Sequence, residues 1–354
     1  MTPKNKPLDL TALLTAALKH QASDLHLSAG MQPMLRVHGQ MQAMDLPALD
    51  ADAVLHLLAQ ATSAEQQQAL ATALELDFAL ALPGLGRFRV NAFMQSRGAA
   101  AVFRCIPGEV PTLASLSVPA VAAELALCPR GLVLVTGPTG SGKSSTLAAM
   151  LSHYLHSQRG HVITIEDPIE FVHSPGQGLV NQRELGSHTH SFSAALRAAL
   201  REDPDVILVG ELRDLDTIRL ALTAAETGQL VLGTLHSASA TKAIDRLIDV
   251  FPATEKDMVR SMLSESLAGV IAQTLCRTAD GTGRVAAHEV MLGTPAIRNL
   301  IREAKVAQMH TSLQTGASLG MQTLDQSLAE LVRRQRITPA EARLHAKVPA
   351  QFAG

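Results

Sequence analysis

Residues 137–144 read GPTGSGKS, which fits the spacing GxxxxGK[ST]. Glycines at 137, 140 and 142 let the backbone fold tightly around a phosphate, with its N–H groups turned inward. Pro138, Thr139 and Ser141 fill the loop between them, and Ser145 follows in the first turn of the helix. The start of that helix adds partial positive charge, Lys143 can reach the outer phosphates, and Ser144 can ligate Mg²⁺. A Gly/Ser-rich turn with a chance lysine would need neither the apolar run GLVLVTG before it nor the helix-forming KSSTLAAML after it. The motif therefore predicts a site for the phosphates of ATP, with Mg²⁺.

Three further groups could complete that chemistry. PDVILVGELRD (204–214) has the buried strand of a Walker B element but no Asp at its end, so Glu211 takes the carboxylate role. It could hold water on Mg²⁺ or orient the attacking water; a solvated glutamate opening a loop is the plainer alternative. ITIEDPIEF (163–171) crowds Glu166, Asp167 and Glu170 together. Carboxylates so close repel unless spread in water or offset by a cation, so this stretch is either the metal side of the site or an acidic loop. His236, in GTLHSASA, is either a sensor of the γ-phosphate or a structural histidine at a strand end. Near the front of the chain, Arg87 and Arg89 project from one strand face, with Arg104 on a later strand. They form a solvated basic face, or include arginine fingers that reach ATP held by a neighbouring subunit.

These residues need elements to hold them. Four short apolar runs, GLVLVTG, HVITIEDP, DVILVGE and LVLGTLHS, alternate with helix-like stretches, which predicts a parallel sheet buried on both faces. Each run ends in the polar residues above, so the endings should share one crevice at the carboxyl edge of the sheet. The first hundred or so residues read differently. DLHLSAG, PMLRVHGQM, GRFRVNAFMQ and AAAVFRCI have strand length and alternation, and the stretch LDADAVLHLLAQATSAEQQQALATAL between them has helical spacing. The expected organisation is α/β throughout: an N-terminal domain over 1–106, a Pro-rich linker over 107–119, and an ATPase domain over 120–354 with a helical C-terminal region.

Composition narrows the function classes. The 354 residues are 47% hydrophobic, yet no apolar stretch approaches the roughly 18 residues of a bilayer span. The start, MTPKNKPLDL, lacks the apolar core of a secretory signal. Three widely spaced cysteines argue against a disulfide framework or a zinc cage. Net charge is −2 and aromatics are 3% with no Trp, so neither a basic stripe nor stacking aromatics mark a nucleic-acid motor. A cytoplasmic protein without nucleic-acid partners is expected.

Taken together, SDLHLSAG, GRFRVNAF, GPTGSGKS, HVITIEDPIEFVH, LREDPDVILVGELRD, ETGQLVLGTLHS, GTPAIRNLIREAK and GMQTLDQSL resemble the secretion and type IV pilus motor ATPases, nearest to the branch that retracts pili. The resemblance implies a PAS-like N-terminal domain, a RecA-like P-loop ATPase domain and a homohexamer with ATP between subunits. It implies Walker A roles for Lys143 and Ser144, an acidic box at Glu166 and Glu170, and a catalytic, metal-associated Glu211. His236 becomes the second histidine of a His box, and Arg89 or Arg104 reaches the nucleotide from the side. The family usually reads TGHL where this chain has TGQL, so Gln229 replaces the first His-box histidine and puts the rate and pH response of turnover in question. Implied partners are an inner-membrane pilus platform protein, at the cytoplasmic base of the pilus, and a paralogous retraction ATPase. The rival readings are an accessory retraction ATPase, an assembly or secretion ATPase, and, from other classes, a P-loop kinase or a nucleic-acid translocase. Assembly ATPases typically carry a longer N-terminal region and a four-cysteine zinc insertion, which this chain lacks. On the same resemblance, the polar face of the helix in TPAIRNLIREAK (294–305), Arg298 and Arg302 above all, is expected to contact or transmit the load.

Overall fold

The computed structural model describes residues 8–37, 39–106 and 108–352. The first seven residues, which are not expected to form a secretory signal, and Pro107, the first residue of the expected linker, lie outside them. The chain divides into two compact units, Met1–Glu109 and Val110–Gly354. Leu113 and Val118, inside the stretch read as a linker, pack on the core of the second unit.

The first unit runs α1 (Leu10–Lys19), β1 (Asp24–Ser28), β2 (Met34–Val37), β3 (Gln40–Ala43), α2 (Ala51–Ala59), α3 (Ala64–Ala73), β4 (Glu75–Leu82), β5 (Gly86–Gln95) and β6 (Gly98–Ile106). Its six strands form an antiparallel sheet in the order β3-β2-β1-β6-β5-β4. Leu25, Phe103 and Val90 stand side by side across β1, β6 and β5 and bury one face against Leu14 of α1 and Leu57 of α2. The single helix suggested by the spacing over 49–74 is two helices. The first ends at Ala59 with Gln60 as its C-cap, and Ser63 starts the second through a capping box with Gln66.

The second unit continues with α4 (Val121–Ala126), β7 (Gly131–Thr136), α5 (Lys143–Ser157), β8 (His161–Glu166), β9 (Leu179–Glu184), α6 (Phe192–Ala199), β10 (Val206–Val209), α7 (Leu215–Thr227), β11 (Leu230–Leu235), α8 (Ala240–Asp249), α9 (Lys256–Ser266), β12 (Leu267–Arg277), β13 (Arg284–Leu292), α10 (Pro295–Arg302), α11 (Met309–Thr315), α12 (Leu324–Arg333) and α13 (Pro339–His345). Its seven-stranded sheet has the order β13-β12-β7-β11-β10-β8-β9. All pairs are parallel except β12 with β13. The four apolar runs are β7, β8, β10 and β11, and the interior strands β7, β10 and β11 are buried at every position. The alternation explains why. Leu132, Leu134, Ile163, Ile207 and Val231 pack on α6 to α9, while Val133, Val135, Val162, Leu208 and Leu232 pack on α4 and α5. Both units give the mixed α/β architecture expected. Strands β9, β12 and β13 were not among the elements read from the sequence.

Candidate nucleotide site

Strands β7, β11, β10 and β8 are parallel neighbours, so their carboxyl ends lie along one edge. At the end of β7 the chain turns through Gly137, Gly140 and Gly142, whose φ angles of 151°, 77° and 88° lie where only glycine is unstrained. Helix α5 begins at Lys143 with Gly142 as its N-cap and no capping side chain. The N–H groups of its first turn are therefore left for a ligand, and a 15-residue helix directs its dipole there. An open, glycine-built loop ending on an uncapped helix fits a phosphate chain.

Lys143 is only 8% exposed, and its Nζ donates to Gly137 O and Pro138 O, both at 3.1 Å. Burial lowers its pKa, against the opposing pull of the carboxylates of Glu211 and Glu170. A buried ammonium satisfied by two loop carbonyls is poised to exchange them for phosphate oxygens.

Hydrogen bonds stitch the neighbouring strand ends to this loop. Thr136 Oγ1 bonds Leu235 O, Ser237 O and Ser237 Oγ, joining the end of β7 to the loop that carries His236. Thr234 Oγ1 donates to Gly210 O, and Leu212 N donates to Thr234 O, which fixes the turn bearing Glu211 against β11. Glu211 then meets a guanidinium and an imidazole, with Arg213 Nη2 at 2.7 Å and His236 Nε2 at 3.4 Å from its carboxylate. Burial opposes ionisation of Glu211, but the hydrogen bond and charge of Arg213, helped by His236, outweigh it and hold the carboxyl below its usual range. Arg213 is also drawn by Asp167 and so links the Walker B turn to the acidic box. No role for Arg213 was read from the sequence. A cation two residues beyond a strand-end carboxylate was the signal available.

The acidic box divides into different environments. Glu166 Oε1 accepts from Thr164 Oγ1 at 2.6 Å and from Gln182 Nε2 at 3.1 Å. Burial raises its pKa despite those bonds. Glu170 is exposed, and its charge acts on Lys143. Gln182 lies on β9, a strand the sequence reading did not contain.

Gln229 precedes β11, its main-chain O accepting from Gly131 N and its Oε1 from Thr227 Oγ1. The six residues of β11 separate it from the edge bearing His236, about 20 Å at 3.3 Å per residue. Gln229 therefore lies at the opposite end of β11 from the phosphate loop. In the first unit, Asp24, Arg104 and Arg89 are consecutive cross-strand neighbours. Arg104 Nε is tied to the buried Asp24 at 2.9 Å, while exposed Arg89 has no ion pair among the described residues.

Comparison with known proteins follows the same lines. The sequence profile of the type II/IV secretion system protein family matches residues 4–344. The type IV pilus retraction ATPase PilT of Pseudomonas aeruginosa is 59% identical over 345 residues, covering 98% of this chain and all of that protein. A twitching motility protein of Neisseria gonorrhoeae is 54% identical, covering 96% of this chain and 90% of its own. A crystal structure of the pilus retraction motor PilT with bound ADP superposes with a TM-score of 0.91 at 43% identity, over 97% of this chain and 98% of that one.

Proposed function

The chain belongs to the type II/IV secretion system protein family, and from that premise we propose that it is the ATPase motor of type IV pilus retraction, driving pilin disassembly and twitching motility. The observation that carries the reading is the convergence on one sheet edge of the phosphate loop, with Lys143, and the Glu211–Arg213–His236 cluster.

ATP is the substrate. Its phosphates lie in the loop from Gly137 to Ser145, and Lys143 leaves the loop carbonyls to meet the β- and γ-oxygens. Ser144 and Glu211 would hold Mg²⁺, which supplies charge neutralisation at those oxygens. Glu170, exposed and with its charge acting on Lys143, is the acidic-box residue assigned to align the attacking water. Glu166, placed in the acidic box by the resemblance, serves as a positioning residue through Thr164 and Gln182. Arg213 and His236 keep Glu211 ionised and oriented.

The active form is a homohexamer in which Arg89, exposed and without an ion pair among the described residues, enters a neighbour's nucleotide site; Arg104 orders the same sheet through Asp24. No helix among the described residues is long and apolar enough to cross a membrane. The ring works at the cytoplasmic base of the pilus by docking on an inner-membrane platform protein, with a paralogous retraction ATPase as a further partner. The test pairs Mg²⁺-dependent ATP hydrolysis by the purified chain with a deletion strain. Loss of twitching with abundant surface pili supports retraction; retained twitching assigns the chain an accessory role.

A further inference from the structure

Gln273 lies on β12, a strand that contributes nothing to the Walker, acidic or His-box motifs, and it is 3% exposed. A buried amide must satisfy both its donor and its acceptor. Nε2 donates to Ser141 O at 2.6 Å, and Oε1 accepts from Thr146 Oγ1 at 2.9 Å. Ser141 O can only accept, so the orientation of the amide is forced. One partner is inside the phosphate loop and the other is in the first turn of α5, on either side of Lys143.

The loop glycines meet the same residue. A Cβ on Gly137 would fall 2.3 Å from Gln273 O, and one on Gly142 would fall 3.2 Å from Gln273 Nε2. The first glycine thus makes room for the main chain of β12, and the last for the Gln273 amide itself. A Ser141 carbonyl engaged by Gln273 is also unavailable to turn toward the phosphates, where it would repel them.

We propose that Gln273 is a positioning residue for nucleotide phosphate: it holds the loop in its binding shape before the phosphates arrive, without touching them. This rests on the reading of the loop as an ATP site. A preformed cradle lowers the ordering cost of binding, and it acts equally on ground and transition states. Loss of the brace therefore raises KM and the nucleotide Kd more than it lowers kcat.

The experiment uses the full chain, a fluorescent ADP analogue for Kd, steady-state ATP hydrolysis and thermal melting. Gln273→Met keeps the volume and removes both bonds. About tenfold weaker binding and a matching rise in KM are expected, with kcat changed much less. Gln273→Glu keeps the acceptor, sets an oxygen against Ser141 O, and should weaken binding at least as much. Thr146→Val removes one bond and should weaken binding about threefold. If Gln273→Met does not fold, Thr146→Val carries the test. With both folded, the double variant should bind no worse than Gln273→Met alone. A folded Gln273→Met with wild-type Kd and KM overturns the proposal, as does one that loses only melting temperature and active fraction. Failure of the wild type to bind the analogue overturns the ATP-site reading itself.

Discussion

At the scale of single residues, the site is a set of charges held in unfavourable surroundings by specific partners. Lys143→Ala leaves the β- and γ-phosphates without their counter-charge, so hydrolysis should fall on the order of a hundredfold or more while melting changes little. Glu211→Gln should still bind ATP and lose turnover to a similar degree; near-normal kcat would remove Glu211 from the mechanism. The two acidic-box residues should separate. Glu170→Gln is expected to cost far more turnover than Glu166→Gln, because a Gln at 166 keeps an oxygen for Thr164 and Gln182. Equal losses would return Glu166 to a direct role. Arg213 contributes through ionisation. It holds the Glu211 carboxyl low against burial, so Arg213→Ala should move the acid limb of the pH–kcat profile to higher pH. An unmoved limb would mean that Glu211 does not set it.

At the scale of elements, β13 and α10 give measurable contrasts. His288 is buried on β13 with Nε2 unpartnered, and burial lowers its pKa to about 4. Below the unfolded value of about 6.5, the unfolded chain takes up a proton that the folded chain refuses. Stability is therefore complete above pH 6.5 and declines as pH falls toward 4, by about 3 kcal/mol at the lower limit. His288→Leu should flatten the pH dependence of the melting temperature between pH 7 and 5; an unchanged slope would show that another group carries it. On α10, the arginine pair expected to meet the load has two different employments. Arg298 donates to Gly293 O, Glu265 O and Leu267 O, closing the end of α9 and the start of β12. Arg302 makes an exposed ion pair with Glu265, of a kind worth at most about 1 kcal/mol. Arg298→Lys, unable to fork across three carbonyls, should lower the melting temperature by several degrees, whereas Arg302→Ala should leave it nearly unchanged. Of the four polar positions of this segment, Asn299, Arg302 and Glu303 are exposed, whereas Arg298 is engaged by main-chain carbonyls.

At the scale of the whole molecule, the proposed ring shares each site between subunits. A chain carrying Arg89→Ala would spoil its neighbour's site, and one carrying Lys143→Ala its own. Mixing the two inactive chains should restore part of the hydrolysis, because some interfaces recover both groups. No recovery at any ratio, with mixed rings verified, would make the sites self-contained. Arg104→Ala should behave differently. It leaves Asp24, buried at 3% exposure, short of its closest cation, so the first unit should lose stability.

The phosphate loop, the four buried strands and their shared edge were legible in the sequence because each depends on local spacing. Only glycine accepts the loop's φ angles, and strands covered on both faces must be apolar throughout. Strands β9 and β12 were harder to see. β9 is a polar edge strand, LVNQRE, without alternation, and β12 runs 11 residues without a break that marks it as a strand. What only the tertiary structure decided are the pairings over long separations. Glu166 and Glu170 are four residues apart and chemically alike, and nothing local says that β9 brings Gln182 to one while the other stays exposed. Gln273 is 132 residues from the loop it braces. Spacing along a chain encodes which backbone shapes are open to it; which side chains come to satisfy one another's buried donors, acceptors and charges is settled only when the sheet is assembled.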